Sequence, residues 1–193
     1  MVSVMSETRF TLFDTALGRC AMAWGPAGVQ AVLFPERTDA ATRARLLRRL
    51  PHATEGDPPP EIQAAIDGVA ALLAGEPRDL SNVALDTSRL STFQRQVYEI
   101  ARTIPPGRTL SYGEVAARLG NPSLAREVGQ ALGQNPFPIV VPCHRVLAAD
   151  GRLGGFSARG GVAMKLRLLQ IERALVEKGP MLFDDLPRAV RLR

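Results

Sequence analysis

Cys143 and His144 stand side by side in a chain with only two cysteines and two histidines. They lie in the run Ile139-Val140-Val141-Pro142-Cys143-His144-Arg145-Val146. A thiol reacts as its thiolate, and a neighbouring imidazole, cation and carboxylate are the means of forming one near neutral pH. The run therefore reads as a nucleophile with a base beside it and Arg145 as a fixed charge. As the end of a buried strand, it would send the Cys143 and His144 side chains to opposite faces. A proton would then pass between them through water. Glu172 is the carboxylate suited to orient His144 and raise its basicity, as the third group of a triad does. The opposing reading is that Cys143 packs the core, as most cysteines after two valines do.

The elements that must position this run divide into two halves. In the first, Arg9 to Phe13, Arg19 to Trp24 and Val29 to Phe34 read as three antiparallel strands separated by Ala16-Leu17-Gly18 and Gly25-Pro26. Helices are expected over 39–50 and 61–74, with a loop over 52–60 and an extended segment over 80–87. In the second, Ser91 caps a helix through Ile104, and Ser111 with Glu114 forms a capping box for a helix over 112–119. Gly120-Asn121-Pro122 turns the chain, and Ser123 caps a helix over 124–133. Two short helices about such a turn suit either a helix-turn-helix or an ordinary αα-corner. The second helix presents Arg126, Gln130 and Gln134 among Ala125, Gly129, Ala131 and Gly133, small residues that let a backbone approach something bulky. After the cysteine run, residues 146–153 read as a hairpin about Ala149-Asp150-Gly151. A glycine-rich loop over 154–161 and a helix over 162–175 bearing Glu172 follow.

The formal charge is +5, unevenly spread. Residues 1–100 hold ten arginines against twelve acidic residues, whereas residues 101–173 have a net of +6. A basic excess around the cysteine run is the footprint of a polyanion-binding segment, although an arginine-rich composition alone would give the same count. No apolar run approaches the ~20 residues of a membrane span, and Met1 to Arg9 lacks the pattern of a signal peptide. Two cysteines suit the reducing cytosol, so the chain is expected to be cytoplasmic. No Cys and His cluster has zinc-ligand spacing, so no metal is expected.

Tyr112, Arg126, Asn135-Pro136, Pro142-Cys143-His144-Arg145-Val146, the glycine-rich loop with Ser157, and Glu172 together resemble the O6-alkylguanine-DNA alkyltransferase family, also called methylated-DNA–protein-cysteine methyltransferase. The resemblance is dense from Ser91 to Glu172 and loose before it. It implies an α/β fold: a small ribonuclease H-like sheet with helices over 1–88, a mostly helical, winged helix-turn-helix-like domain over 89–175, and a tail over 176–193. It implies irreversible transfer of an alkyl group from O6 of guanine in double-stranded DNA to Cys143, by a monomer that needs no cofactor. His144, a water and Glu172 would deprotonate the thiol, Tyr112 would protonate N3 of the departing guanine, and Asn135 would hold the active-site turn. Arg126 would fill the space left by the flipped nucleotide. Ser123, Ala125, Gly129, Tyr112 and Arg145 would complete a minor-groove contact without sequence specificity. Val146, Phe156 and Ser157 would line the base pocket.

The sequence departs from the family at Phe156, where many relatives have tyrosine, and in a loop longer than some. The zinc site of some members cannot form, because Cys20 and His52 are the only candidate ligands in the first half. The regulatory domain fused to some bacterial members has no counterpart. Two further classes compete with transfer. A lesion-binding relative would lack the acceptor cysteine, and a DNA-binding regulator would leave Tyr112, Asn135 and Glu172 as coincidences. A cysteine hydrolase is disfavoured because nothing marks an oxyanion hole.

Overall fold

The computed structural model describes residues 7–149, 151–153, 155, 160–176 and 188–189. Phe156 and Ser157, and most of the tail, lie outside them.

Alternation of side chains builds the first half. Strands β1 (Arg9–Thr15), β2 (Gly18–Gly25) and β3 (Gly28–Leu33) form an antiparallel meander. Along β2, Ala21 and Ala23 point to one face, where they meet Leu46 and Leu50 of helix α1 (Asp39–Arg49) and its end. Cys20, Met22 and Trp24 point to the other face, toward Ile62, Ile66 and Val69 of helix α2 (Pro60–Leu73). This period of two is what a sheet covered on both faces requires. A short strand inside the expected loop, β4 (Thr54–Glu55), pairs parallel to β1 and completes the order β3-β2-β1-β4. Two residues carry no readable period, which is why the pattern missed them. The extended segment over 80–87 is reduced to one bridge at Leu85 beside Val29.

The second half is helical. Helix α3 (Thr92–Arg102) begins at a complete capping box, Ser91 with Gln94, and buries Val97, Tyr98 and Ala101. A two-residue strand β5 (Leu110–Ser111) leads into helix α4 (Tyr112–Arg118), whose box of Ser111 and Glu114 forms as read. Helix α5 (Ala125–Gly133) differs at its start. The Asn121 side chain accepts from the Ser123 amide and caps a 3-10 turn over Pro122–Leu124. Ser123 sits inside that turn and caps nothing. Asn-Pro one residue upstream outcompetes the serine, because proline fixes the first turn and asparagine satisfies its amide.

Three further expectations change. Residues 139–142 are buried but form no strand; Ile139 has φ 77° and Val141 bridges only Pro138. The flanking Pro138 and Pro142 deny the run a ladder, and burial alone had suggested one. The hairpin expected at 146–153 keeps the Ala148 amide on the Arg152 carbonyl and the Gly151 amide on the Ala148 carbonyl, but Arg152-Leu153 forms no strand. Strand β6 (Val146–Leu147) pairs parallel to β5 instead. Helix α6 (Gly161–Ile171) stops four residues early in a Schellman closure, with the Ala174 amide on the Leu169 carbonyl and Arg173 at φ 53°. Glu172 is therefore its C-cap, not an interior residue.

One apolar cluster runs unbroken from the sheet through α2, α3, α4 and α5 to Cys143. The halves are also joined through the backbone: the Val32 amide donates to the Pro136 carbonyl, and a terminal guanidinium nitrogen of Arg102 donates to the carbonyls of Leu80, Ser81 and Val83.

Candidate active site

Cys143 opens a short 3-10 turn with His144 and Arg145, at the foot of α5 and against α6. Cys143 is 7% exposed as a residue, and the His144 side chain is fully buried. The path into the turn is fixed by Asn135, which follows α5 directly. Its Nδ2 donates to the Val141 carbonyl at 2.8 Å and its Oδ1 accepts from the Phe137 amide at 2.9 Å. Tyr98 braces the same corner from α3, its hydroxyl donating to the Ala131 carbonyl at 2.8 Å and its ring meeting Phe137 edge-on.

Glu172 is the hub of the charges. Its carboxylate lies 2.9 Å from His144 Nε2 and accepts twice from Arg145, at 2.9 Å and 2.8 Å. Its side chain is 2% exposed. His144 and Arg145 hold that carboxyl at about 2, against the opposing effect of burial. Burial drives the His144 imidazole below its ordinary value, only partly offset by Glu172. The ring is thus neutral near pH 7, with its one N–H on Nε2 donating to Glu172. Nδ1 is left as a buried acceptor with no hydrogen-bond partner among the described residues. Burial raises the Cys143 thiol; the Asn135 side chain, the Lys165 ammonium and the backbone amides of Cys143 and His144 oppose it. Such a sulfur ionises only when a base and a countercharge act together.

Arg145 is not on the surface. It is 5% exposed, and its guanidinium is occupied by Glu172 and the Ile104 carbonyl. Its expected DNA contact is therefore corrected to an internal role, since a guanidinium with a carboxylate fork already satisfied has no face left for phosphate. Tyr112 is the first residue of α4, half-buried beside α5, where a side chain added at Gly129 would meet its ring at 3.7 Å. Burial, then Cys143, raises its phenol, which stays protonated. Arg126 and Ser123 are exposed, Ala125 half-buried, and Val146 buried in β6.

Lys165 was not anticipated. Its side chain is buried at 0% exposure, Nζ donates to the Val146 carbonyl at 2.7 Å and stands 5.7 Å from the Tyr112 ring centroid. The sequence held a signal: the chain has one other lysine, Lys178, against 22 arginines. Lys165 also falls on the stripe of Leu168, Leu169 and Glu172 at helical spacing.

The sequence matches the family described as 6-O-methylguanine DNA methyltransferase, DNA binding domain, over residues 92–174. That match covers α3 to the end of α6 and defines the class: a DNA-binding domain of the guanine-O6 methyltransferase type, with a buried thiol at the foot of its helices. The methylated-DNA–protein-cysteine methyltransferase of Methanothermobacter thermautotrophicus is 36% identical over 156 residues, spanning 81% of this chain and 80% of that protein. The protein of the same description from Mycobacterium tuberculosis is 41% identical over 146 residues, 74% of this chain and 86% of the relative. Among solved structures, M. tuberculosis OGT in complex with DNA superposes with a TM-score of 0.69 at 35% identity, covering 86% and 92% of the two chains. The O6-methylguanine-DNA methyltransferase of Pyrococcus kodakaraensis gives 0.65 at 26%, covering 86% and 98%. The chain belongs to the methylated-DNA–protein-cysteine methyltransferase family.

Proposed function

We propose that the protein repairs DNA by moving the alkyl group of O6-alkylguanine onto Sγ of its own Cys143. The observation that carries this reading is the buried Cys143-His144-Glu172 arrangement with Nδ1 of a neutral imidazole open as an acceptor. The thiol proton passes through one water to Nδ1, and Glu172 stabilises the imidazolium that forms. The sulfur attacks the alkyl carbon, an S–C bond forms and the C–O6 bond breaks with its electron pair left on guanine. Tyr112 donates its proton to N3 of the departing base and is reprotonated from the imidazolium. The sum is a thiol and an alkylated guanine giving a thioether and guanine. No cofactor enters, and a thioether so formed ends the protein's use.

Duplex DNA meets the protein through α5 in the minor groove. Arg126 props the opened stack, and Ala125, Gly129 and Ser123 allow close approach. The basic second half supplies affinity independent of sequence. Val146 lines the base pocket. The protein acts as a monomer in the cytoplasm. Mixed at equal concentration with an oligonucleotide bearing one O6-methylguanine, it gains one methyl group on the Cys143 peptide by mass spectrometry, at no more than one per chain. Binding to the lesion with no mass change would move it to the lesion-recognition class.

A further inference from the structure

Lys165 is a buried cation that the transfer chemistry above does not use. Glu172 is already neutralised by Arg145, and among the described residues no carboxylate lies within ion-pair distance of Lys165. A buried ammonium without a carboxylate is expensive and is usually retained for a reason. Its fixed neighbours are the Val146 carbonyl at 2.7 Å and the Tyr112 ring. Two turns of α6 separate Lys165 from Glu172 on one stripe: the ammonium donates to the carbonyl of Val146, the residue that closes the Cys143 turn, and the carboxylate meets His144 within it.

We infer that Lys165 is the countercharge of the Cys143 thiolate, held in place by the Val146 carbonyl and the Tyr112 ring. His144 accepts the proton, and Lys165 balances the charge the proton leaves behind. The division of labour follows from the other charged and titratable groups around the sulfur. Arg145 is committed to Glu172, His144 is neutral, and Tyr98 from α3 and Tyr112 from α4 are phenols that burial keeps protonated. Among these described groups Lys165 is the positive charge with no carboxylate beside it. Burial pulls its ammonium down to about 8, and Cys143 is the group that pushes it back up. The same ammonium fixes the Val146 carbonyl, which keeps a second lone pair for the exocyclic amine of a bound guanine.

This inference rests on Cys143 being the acceptor, and its test does not need DNA. Lys165→Met keeps length and removes charge; Lys165→Arg keeps charge. Carboxamidomethylation of Cys143 by iodoacetamide, read on its own peptide across pH, reports the thiolate separately from Cys20. The midpoint rises by about one pH unit or more in Lys165→Met, a roughly tenfold loss of thiolate near neutrality, and Lys165→Arg recovers most of it. A rate lowered equally at every pH, with the midpoint unmoved, would overturn the inference. Should Lys165→Met fail to fold, Cys143→Ser answers from the other side. Coupling is reciprocal, so the ¹⁵Nζ titration of Lys165 moves to lower pH when the ionisable sulfur is gone, and an unmoved titration refutes the pairing. Failure of the wild type to take a methyl group from DNA would sink the repair reading while leaving this titration as it is.

Discussion

At the scale of the residue, Glu172 does two jobs that separate experimentally. It accepts from His144 Nε2 and neutralises Arg145, so Glu172→Gln leaves a buried guanidinium without its anion. Breaking such a pair from one side costs about 3–5 kcal/mol, and transfer slows because the imidazole loses its support. The carboxyl sits at about 2 in the folded protein, below its value near 4.3 in an unfolded chain. The stability it confers is fully present above about pH 4.3 and is lost as pH falls toward about 2. Denaturant unfolding between those limits should therefore show a slope, worth about 3 kcal/mol in total, that Glu172→Gln lacks. Equal slopes in both proteins would mean the hub is held by something other than charge. The adjacency of Cys143 and His144 is legible in the sequence, whereas the contact of Glu172 with His144 spans 28 positions and no spacing reveals it. Arg145 was misread because an arginine beside a nucleophile has the same letters whether it faces phosphate or carboxylate.

At the scale of the element, α5 pays in stability for what it presents. Gly129 sits in the interior of the helix, where glycine is about 0.5–1 kcal/mol worse than alanine. Nothing in the fold demands it: an added Cβ would rest at ordinary contact, 3.7 Å and 3.8 Å, on the Tyr112 ring. Gly129→Ala should raise the melting temperature by about 2–4 °C and weaken duplex binding in fluorescence anisotropy. Unchanged affinity would remove this face of α5 from the DNA interface. Helices were readable wherever caps or long periods marked them, as at Ser91 and Ser111. The errors fell where two signals competed within three residues, Asn121 against Ser123, or where burial was uniform, as over 139–142. A buried run without alternation has no period to reveal whether it is a strand.

At the scale of the whole molecule, the two halves share an interior. The cluster around Met22 and Trp24 continues to Val141 and Cys143, so the sheet is the floor on which the reactive turn is built. That continuity was out of reach from sequence, since it depends on contacts between residues more than a hundred positions apart. The segment over 80–87, expected as extended chain, ends where the first half is divided from the second, at residue 88. Arg102 turns it into something else, gathering three of its carbonyls onto one nitrogen while Val29 exchanges backbone hydrogen bonds with Ala84 and Asp86. A protease needs a stretch of chain to open locally before it can cut, and these residues are fastened at both ends. Under limited digestion the stretch over 80–88 should stay whole in the wild type and become an early cleavage site in Arg102→Met. Early cleavage there in both proteins would show that the arginine does not hold it. A seam that looks like the natural place to divide the chain is, by its bonding, one of the places where it resists being opened.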